Sequence, residues 1–167
     1  MEMLPTQPVS TFASGDTPFM SAADLAGYAA SIRTARAIRE REGLDQADKA
    51  QAHLIKRLSD PVELTPEKVE EITATLLHRL RVAAEQGKTE LQVMRFPNAL
   101  CADGGRAITN VEADWPETLT GRPRQAFEFW RDRLRPRGYG LRASIIDWPH
   151  GMPRDVAFFL TWEAAEP

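Results

Sequence analysis

A thiol, a carboxylate, two adjacent glycines and an arginine fall within the six residues Cys101-Ala102-Asp103-Gly104-Gly105-Arg106. Adjacent glycines let backbone N–H groups approach an anion, and an arginine adds a bidentate clamp, so the run is a candidate phosphate or carboxylate cradle. Its spacing matches neither the Walker loop nor the GxGxxG order. A turn in which Asp103 hydrogen-bonds its own backbone explains the same letters more simply. Cys101 with His150, and Asp103 or Asp147 to orient it, has the makings of a nucleophile and base. A lone cysteine beside Leu100 reads more simply as a small buried hydrophobe. No catalytic residue is assigned. Cys101, Asp103, Gly104, Gly105, Arg106 and His150 stand as a ligand-binding hypothesis for the 97–121 loop.

Two further clusters invite a function. Trp148-Pro149-His150-Gly151-Met152-Pro153-Arg154 sets large apolar groups on a proline-braced loop, which suits a contact surface. Trp148, Met152 and Arg154, with Trp115 from the other loop, are the expected interaction residues. The segment 122–142 carries Arg122, Arg124, Arg131, Arg133, Arg135, Arg137 and Arg142 against only Glu128 and Asp132, interleaved with aromatics. Arginines among aromatics can grip phosphates and stack on bases. No recognised nucleic-acid motif accompanies them, and arginines at a helix C-terminus also complement its dipole. Glu112, Asp114 and Glu117 gather ahead of that helix, where the positive end of the dipole favours them. His53 and His78 fall within predicted helices and read as solvated.

The elements that must position these residues come from periodicity. Ser21 caps a first helix with the stripe Leu25, Tyr28, Ile32, Ala35 and Ile38, which Gly43 is expected to end. Asp45 caps a second helix to about Ser59, closed by Pro61. A third begins at Thr65-Pro66, carries Val69, Ile72, Leu76, Leu80 and Ala83, and stops at Gly87. Thr89 to Phe96 reads as a strand with Leu91 and Val93 on one side and Met94 and Phe96 on the other, which suggests a central or doubly covered strand. A fourth helix spans roughly Arg122 to Leu134. Leu141, Ala143 and Ile145 alternate in one final strand, and Val156, Phe158, Leu160 and Trp162 in the other.

Composition bounds the rest. At 167 residues with formal charge −3, 43% hydrophobic and 27% charged, the chain is a globular α+β protein with no global pull toward nucleic acid or anionic membrane. One cysteine excludes an internal disulfide and a Cys-rich zinc site, and the three histidines lack ligand spacing. No metal or cofactor is expected. No basic leader followed by an apolar run, and no membrane-length apolar window, is present in the sequence, so a cytoplasmic location is the expectation.

Arg95-Phe96-Pro97, Cys101-x-Asp103-Gly104-Gly105-Arg106-Ala107-Ile108, Trp115-Pro116-Glu117-Thr118-Leu119-x-Gly121 and Ile146-Asp147-x-Pro149-x-Gly151-Met152-Pro153-x-Asp155 together resemble a group of small uncharacterised bacterial proteins. The resemblance implies an α-β-α-β-β core and a bacterial origin, and it transfers no activity. The expected organisation is a flexible leader over 1–20, a helical arm over 21–60 and an α+β core over 61–167, with three strands in one sheet backed by two helices. The expected function is a non-enzymatic protein-interaction or regulatory module, a homo-oligomer. A small-molecule or anion-binding protein and a nucleic-acid binder are the alternatives.

Overall fold

Ser21 opens the first helix as its position predicts, its Oγ accepting the Asp24 N–H at 3.0 Å. The helix does not stop at Gly43. α1 is continuous over Ala22–Ser59, so the two helices expected over 21–43 and 45–59 are one, and Asp45 lies inside it. A lone glycine costs a helix only about 1 kcal/mol relative to alanine, and residues 44–50 bring no proline to stop it.

The computed structural model describes residues 19–163. The expected leader therefore lies outside the described residues, except for exposed Phe19 and Met20. The described residues divide into two units between Gln46 and Ala47, within α1 rather than at residue 60. The last turns of α1 belong to the core unit: Leu58 is buried, and Leu54 and Ile55 pack against the same cluster.

α2, Pro66–Glu85, is built as its sequence dictates. Thr65 Oγ1 accepts from Lys68 N at 3.2 Å, and Pro66 occupies the first turn where no N–H is needed. At the other end Lys88 N donates to Ala83 O and Gly87 N to Ala84 O, the paired bonds of a left-handed helix stop with Gly87 at φ +76°.

Among the described residues the sheet has three antiparallel strands, β1 (Glu90–Pro97), β2 (Gly140–Ile145) and β3 (Asp155–Thr161), in the order β1-β3-β2. β3 is central, and β1, expected to be central or covered on both faces, is an edge. The reason lies in its register. Leu91 faces Leu160, Gln92 faces Phe159, and Met94 then faces Phe158, leaving Val93 as an extra residue. That bulge resets the alternation and brings Leu91, Met94 and Phe96 to one face. An apolar residue on each side of the predicted strand was the trace of a phase shift, not of two covers. β2 keeps strict alternation, with Leu141, Ala143 and Ile145 opposite Leu160, Phe158 and Val156.

One face of the sheet carries the core. Phe96, Val156 and Phe158 pack with Leu58, Leu100, Cys101, Ile108 and Leu119. Phe96 and Phe158 meet edge-on at 4.9 Å between ring centroids. α4 (Gly121–Phe129) adds Ala126 and Phe127 to the same side. The opposite face is laced by ion pairs, Arg95–Asp155 at 2.7 Å and Arg142–Glu90 at 2.8 Å, with Arg142 lying over Phe159. The 97–121 connection, expected as a loop, contains a single-turn helix α3, Arg106–Thr109, and two 3-10 turns.

Candidate functional site

The two irregular connections meet at one end of the sheet, because Pro97 pairs with Asp155 where β1 ends and β3 begins. Asn98 ties them together. Its backbone N donates to Arg154 O at 2.7 Å, and its side-chain Nδ2 donates to Gly104 O and Pro153 O at 2.9 and 3.1 Å. Sequence reading passed over Asn98; the one available signal was a side-chain donor directly after a strand-ending proline.

Within this cluster the expected ligand cradle is already filled by the chain itself. The Asp103 carboxylate accepts from Gly105 N at 2.9 Å and from Ala107 N at 2.8 Å, while Gly104 N donates to Cys101 O. Asp103 thus does for α3 what an anion would do, and a second anion would meet its negative charge. Arg106 is exposed. His150 is exposed on the 3-10 turn Pro149–Gly151 at φ 54°. Asn98 thus joins the loops that carry Asp103 and His150, but no catalytic contact between the two groups is formed.

Cys101 is buried, and its neutral thiol is the stable form. Removal from water, with the Asp103 charge adding to it, pushes the thiol up to about 11, against a smaller opposing hydrogen bond from Thr118. An unfolded thiol ionises near 8.5, so the stability gained by burying neutral Cys101 is complete below about pH 8.5 and lost as pH rises toward 11. At pH 8 the native thiolate fraction is on the order of a hundredfold below that of a free thiol. Iodoacetamide is expected to alkylate the native protein slower by about that factor, with normal rates restored in denaturant. A native rate equal to the denatured rate would contradict the burial.

Trp115, expected on an interaction surface, is instead half-buried against the core. Its ring stands edge-on to Phe127 at 5.7 Å and tilts against Phe158 at 5.8 Å. The adjoining proline starts a 3-10 turn, Trp115–Thr118, that points the indole inward. Trp148 and Met152 are on the surface, 48% and 67% exposed. Their loop is braced by Ile146 N to Asp155 O and by Arg154 N to Asp147 O, at 2.9 and 3.0 Å. The side chain of Arg154 belongs to an exposed residue.

The arginine-rich segment spends many of its charges internally. Arg124 pairs with Glu128 at 3.4 Å and Arg131 with Asp132 at 2.9 Å. Arg133 lies over Phe129 and Arg135 over Trp130. After Phe129 the helix widens into a π turn, Trp130–Leu134, in which Arg135 N bonds Trp130 O. Pro136 explains the widening: it has no N–H to donate, and its ring crowds the carbonyl four residues back.

A concavity lies away from the loops, on the core face. α2 buries Leu80 and Ala83 near its C-terminus, whereas Ile72 and Leu76 stand over an apolar cleft of about 400 Å³. The sheet contributes Met94, Phe158, Leu160 and Leu141 as its floor. Phe129, Trp130 and Leu134 form the far wall, where Trp130 Nε1 donates to Tyr139 O at 3.0 Å. The charged groups on its lining are Lys68, Glu71 and Arg79 along α2 and Arg122 on α4. None of the residues singled out in the loops lines it. The stripe of α2 announced a buried face, but periodicity cannot reveal that its middle stands off from the sheet.

No family model matches the chain, and no curated protein and no solved structure gives a significant match. Among the described residues, no group of three or more His, Cys, Asp and Glu is arranged to hold a metal ion, and no helix is long and apolar enough to cross a membrane.

Proposed function

We propose that the chain is a non-enzymatic protein-interaction module that pairs with a second copy of itself through the N-terminal part of α1. The observation that carries this reading is a row of bare apolar side chains: Leu25, Tyr28, Ile32 and Ile38 are 57%, 56%, 41% and 53% exposed. Spacings of three and four residues put Leu25, Tyr28 and Ile32 on one face, with Ile38 bordering it. Helices gain most of their stability from packing such a face, and pairing would bury this one.

Charge selects the orientation. An antiparallel pair centred on Ala30 sets Leu25 level with Ala35 of the other copy and Tyr28 level with Ile32, so large groups meet small or apolar ones. It also sets Asp24 level with Arg36, and no like charges share a level between residues 21 and 39. A parallel pair in register would oppose Arg33, Arg36 and Arg39 to their own copies. The exposed Trp148 and Met152, on their hydrogen-bonded loop, favour a second contact surface for a different protein partner.

The buried thiol and the Asp103 carboxylate, engaged by Gly105 N and Ala107 N, speak against covalent chemistry at the loop cluster. Sedimentation velocity on the full chain at micromolar concentration tests the pairing. The expected result is a dimer that Ile32→Glu weakens by about a hundredfold or more, since a symmetric interface feels each substitution twice. A monomer for the unaltered chain, or a variant that dimerises equally well, would end the proposal.

A further inference from the structure

We infer that the cleft between α2, α4 and the sheet binds a linear aliphatic carboxylate, with its chain inside and its headgroup at the Lys68 and Arg122 edge. This goes beyond the pairing of α1, with which it shares no residue. A cleft of about 400 Å³ lies within the size range of small-ligand sites. Its inner walls are side chains such as Ile72, Leu76, Met94, Trp130 and Leu141, which give enclosed water few partners. An apolar body therefore displaces that water favourably.

The edge chooses the headgroup. Lys68 and Arg122 stand there against one carboxylate, Glu71, so that edge carries a positive excess, while Arg79 lies eleven residues further along α2, about 16 Å from Lys68. Lys68 is held only loosely, 3.7 Å from Glu71 with both side chains solvated, and its ammonium is available to a ligand. Arg122 donates Nε to Asp60 O, a single bond that fixes the guanidinium in place and leaves its other donors to spare. Gln125, a neutral polar group beside them, is taken up on both its amide atoms by Val62. Besides the Thr75 hydroxyl, the free donors on the lining are then cationic. A neutral polar head would gain less from them than an anionic one.

The π turn supports the same assignment. Trp130 and Leu134 belong to it and line the cleft, and π turns inside helices recur at binding sites.

Dodecanoate and dodecanol, titrated below their aggregation limits into the full-length protein, supply the test. The readout is the set of tryptophan indole N–H resonances together with calorimetric affinity. Dodecanoate is expected to bind saturably, to shift the Trp130 indole resonance and to leave that of exposed Trp148 in place. Octanoate should bind on the order of a hundredfold more weakly, from about fourfold per methylene lost. Lys68→Glu, a solvated position whose change does not touch the core, should weaken dodecanoate by about tenfold and leave dodecanol unaffected. Equal affinity for acid and alcohol, a shift at Trp148 without one at Trp130, or no saturable binding would overturn the inference. So would a Trp130 resonance that moves with protein concentration alone, since the cleft would then be covered by a second copy. Retention of dodecanoate binding by Ile32→Glu is expected, which keeps this result separate from the pairing of α1.

Discussion

Phe158→Ala is expected to lower the unfolding free energy by about 4 kcal/mol, a large part of the stability of a protein this size. Phe158 is fully buried on the central strand, edge-on to Phe96 and tilted against Trp115. Its removal strips one ring of a three-aromatic cluster and extends the neighbouring cleft, which the sheet cannot close by shifting one strand. The adjacent residue provides the contrast. Phe159 points to the opposite face, half-buried beneath the Arg142 guanidinium at 4.3 Å. Phe159→Ala is expected to cost about 1 kcal/mol. Urea midpoints at unchanged slope measure both. Equal losses would contradict the assignment of the core to one face.

Gly121→Ala is the second large effect, expected at about 3 kcal/mol although it adds a single methyl group. Gly121 starts α4 at φ +60°, where a side chain is strained wherever it points. A Cβ there would also lie 2.8 Å from Ser59 Cα and closer still to Leu58 O. Both obstacles are backbone, so no rotamer change relieves the overlap. Either α4 retreats from the end of α1 or Leu58 leaves the core. The same urea titration checks the size of the loss, and a change below about 1 kcal/mol would mean that the two backbones separate freely.

Much of this fold was legible because local chemistry and long-range packing agree. Thr65-Pro66 and Gly87 bracket α2 through caps that need no tertiary partner. The alternation in β2 and β3 fixed their faces. The α+β class and the common sheet came from those elements. Three features were not legible, each for a physical reason. Gly43 stands at a stop position, yet helix continuation depends on the helix-forming strength of residues 44–50 and not on one glycine. The bulge at Val93 is set by pairing with β3, which a lone strand does not encode. Trp115 reads as a surface aromatic because it lies in an irregular connection, and only the folded 3-10 turn turns it inward. In the loop cluster, the self-satisfying turn at Asp103 was foreseeable from Asp-Gly-Gly. The bridge made by Asn98 was not, because its partners lie 6 and 55 residues away. The cleft escaped notice for a similar reason, since a gap between packed elements has no periodicity of its own.

Trans pairing between Asp24 and Arg36 gives the most direct measurement of how α1 is used. Within one helix these residues are separated by about 18 Å of axial rise and cannot meet. Dimer dissociation constants from sedimentation equilibrium are needed for Asp24→Arg, for Arg36→Asp and for the double exchange. Each single change is expected to weaken the dimer by about fivefold, and the double exchange to return it to within about threefold of the unaltered chain. A double variant no tighter than the two single losses combined would contradict antiparallel pairing through the N-terminal part of α1.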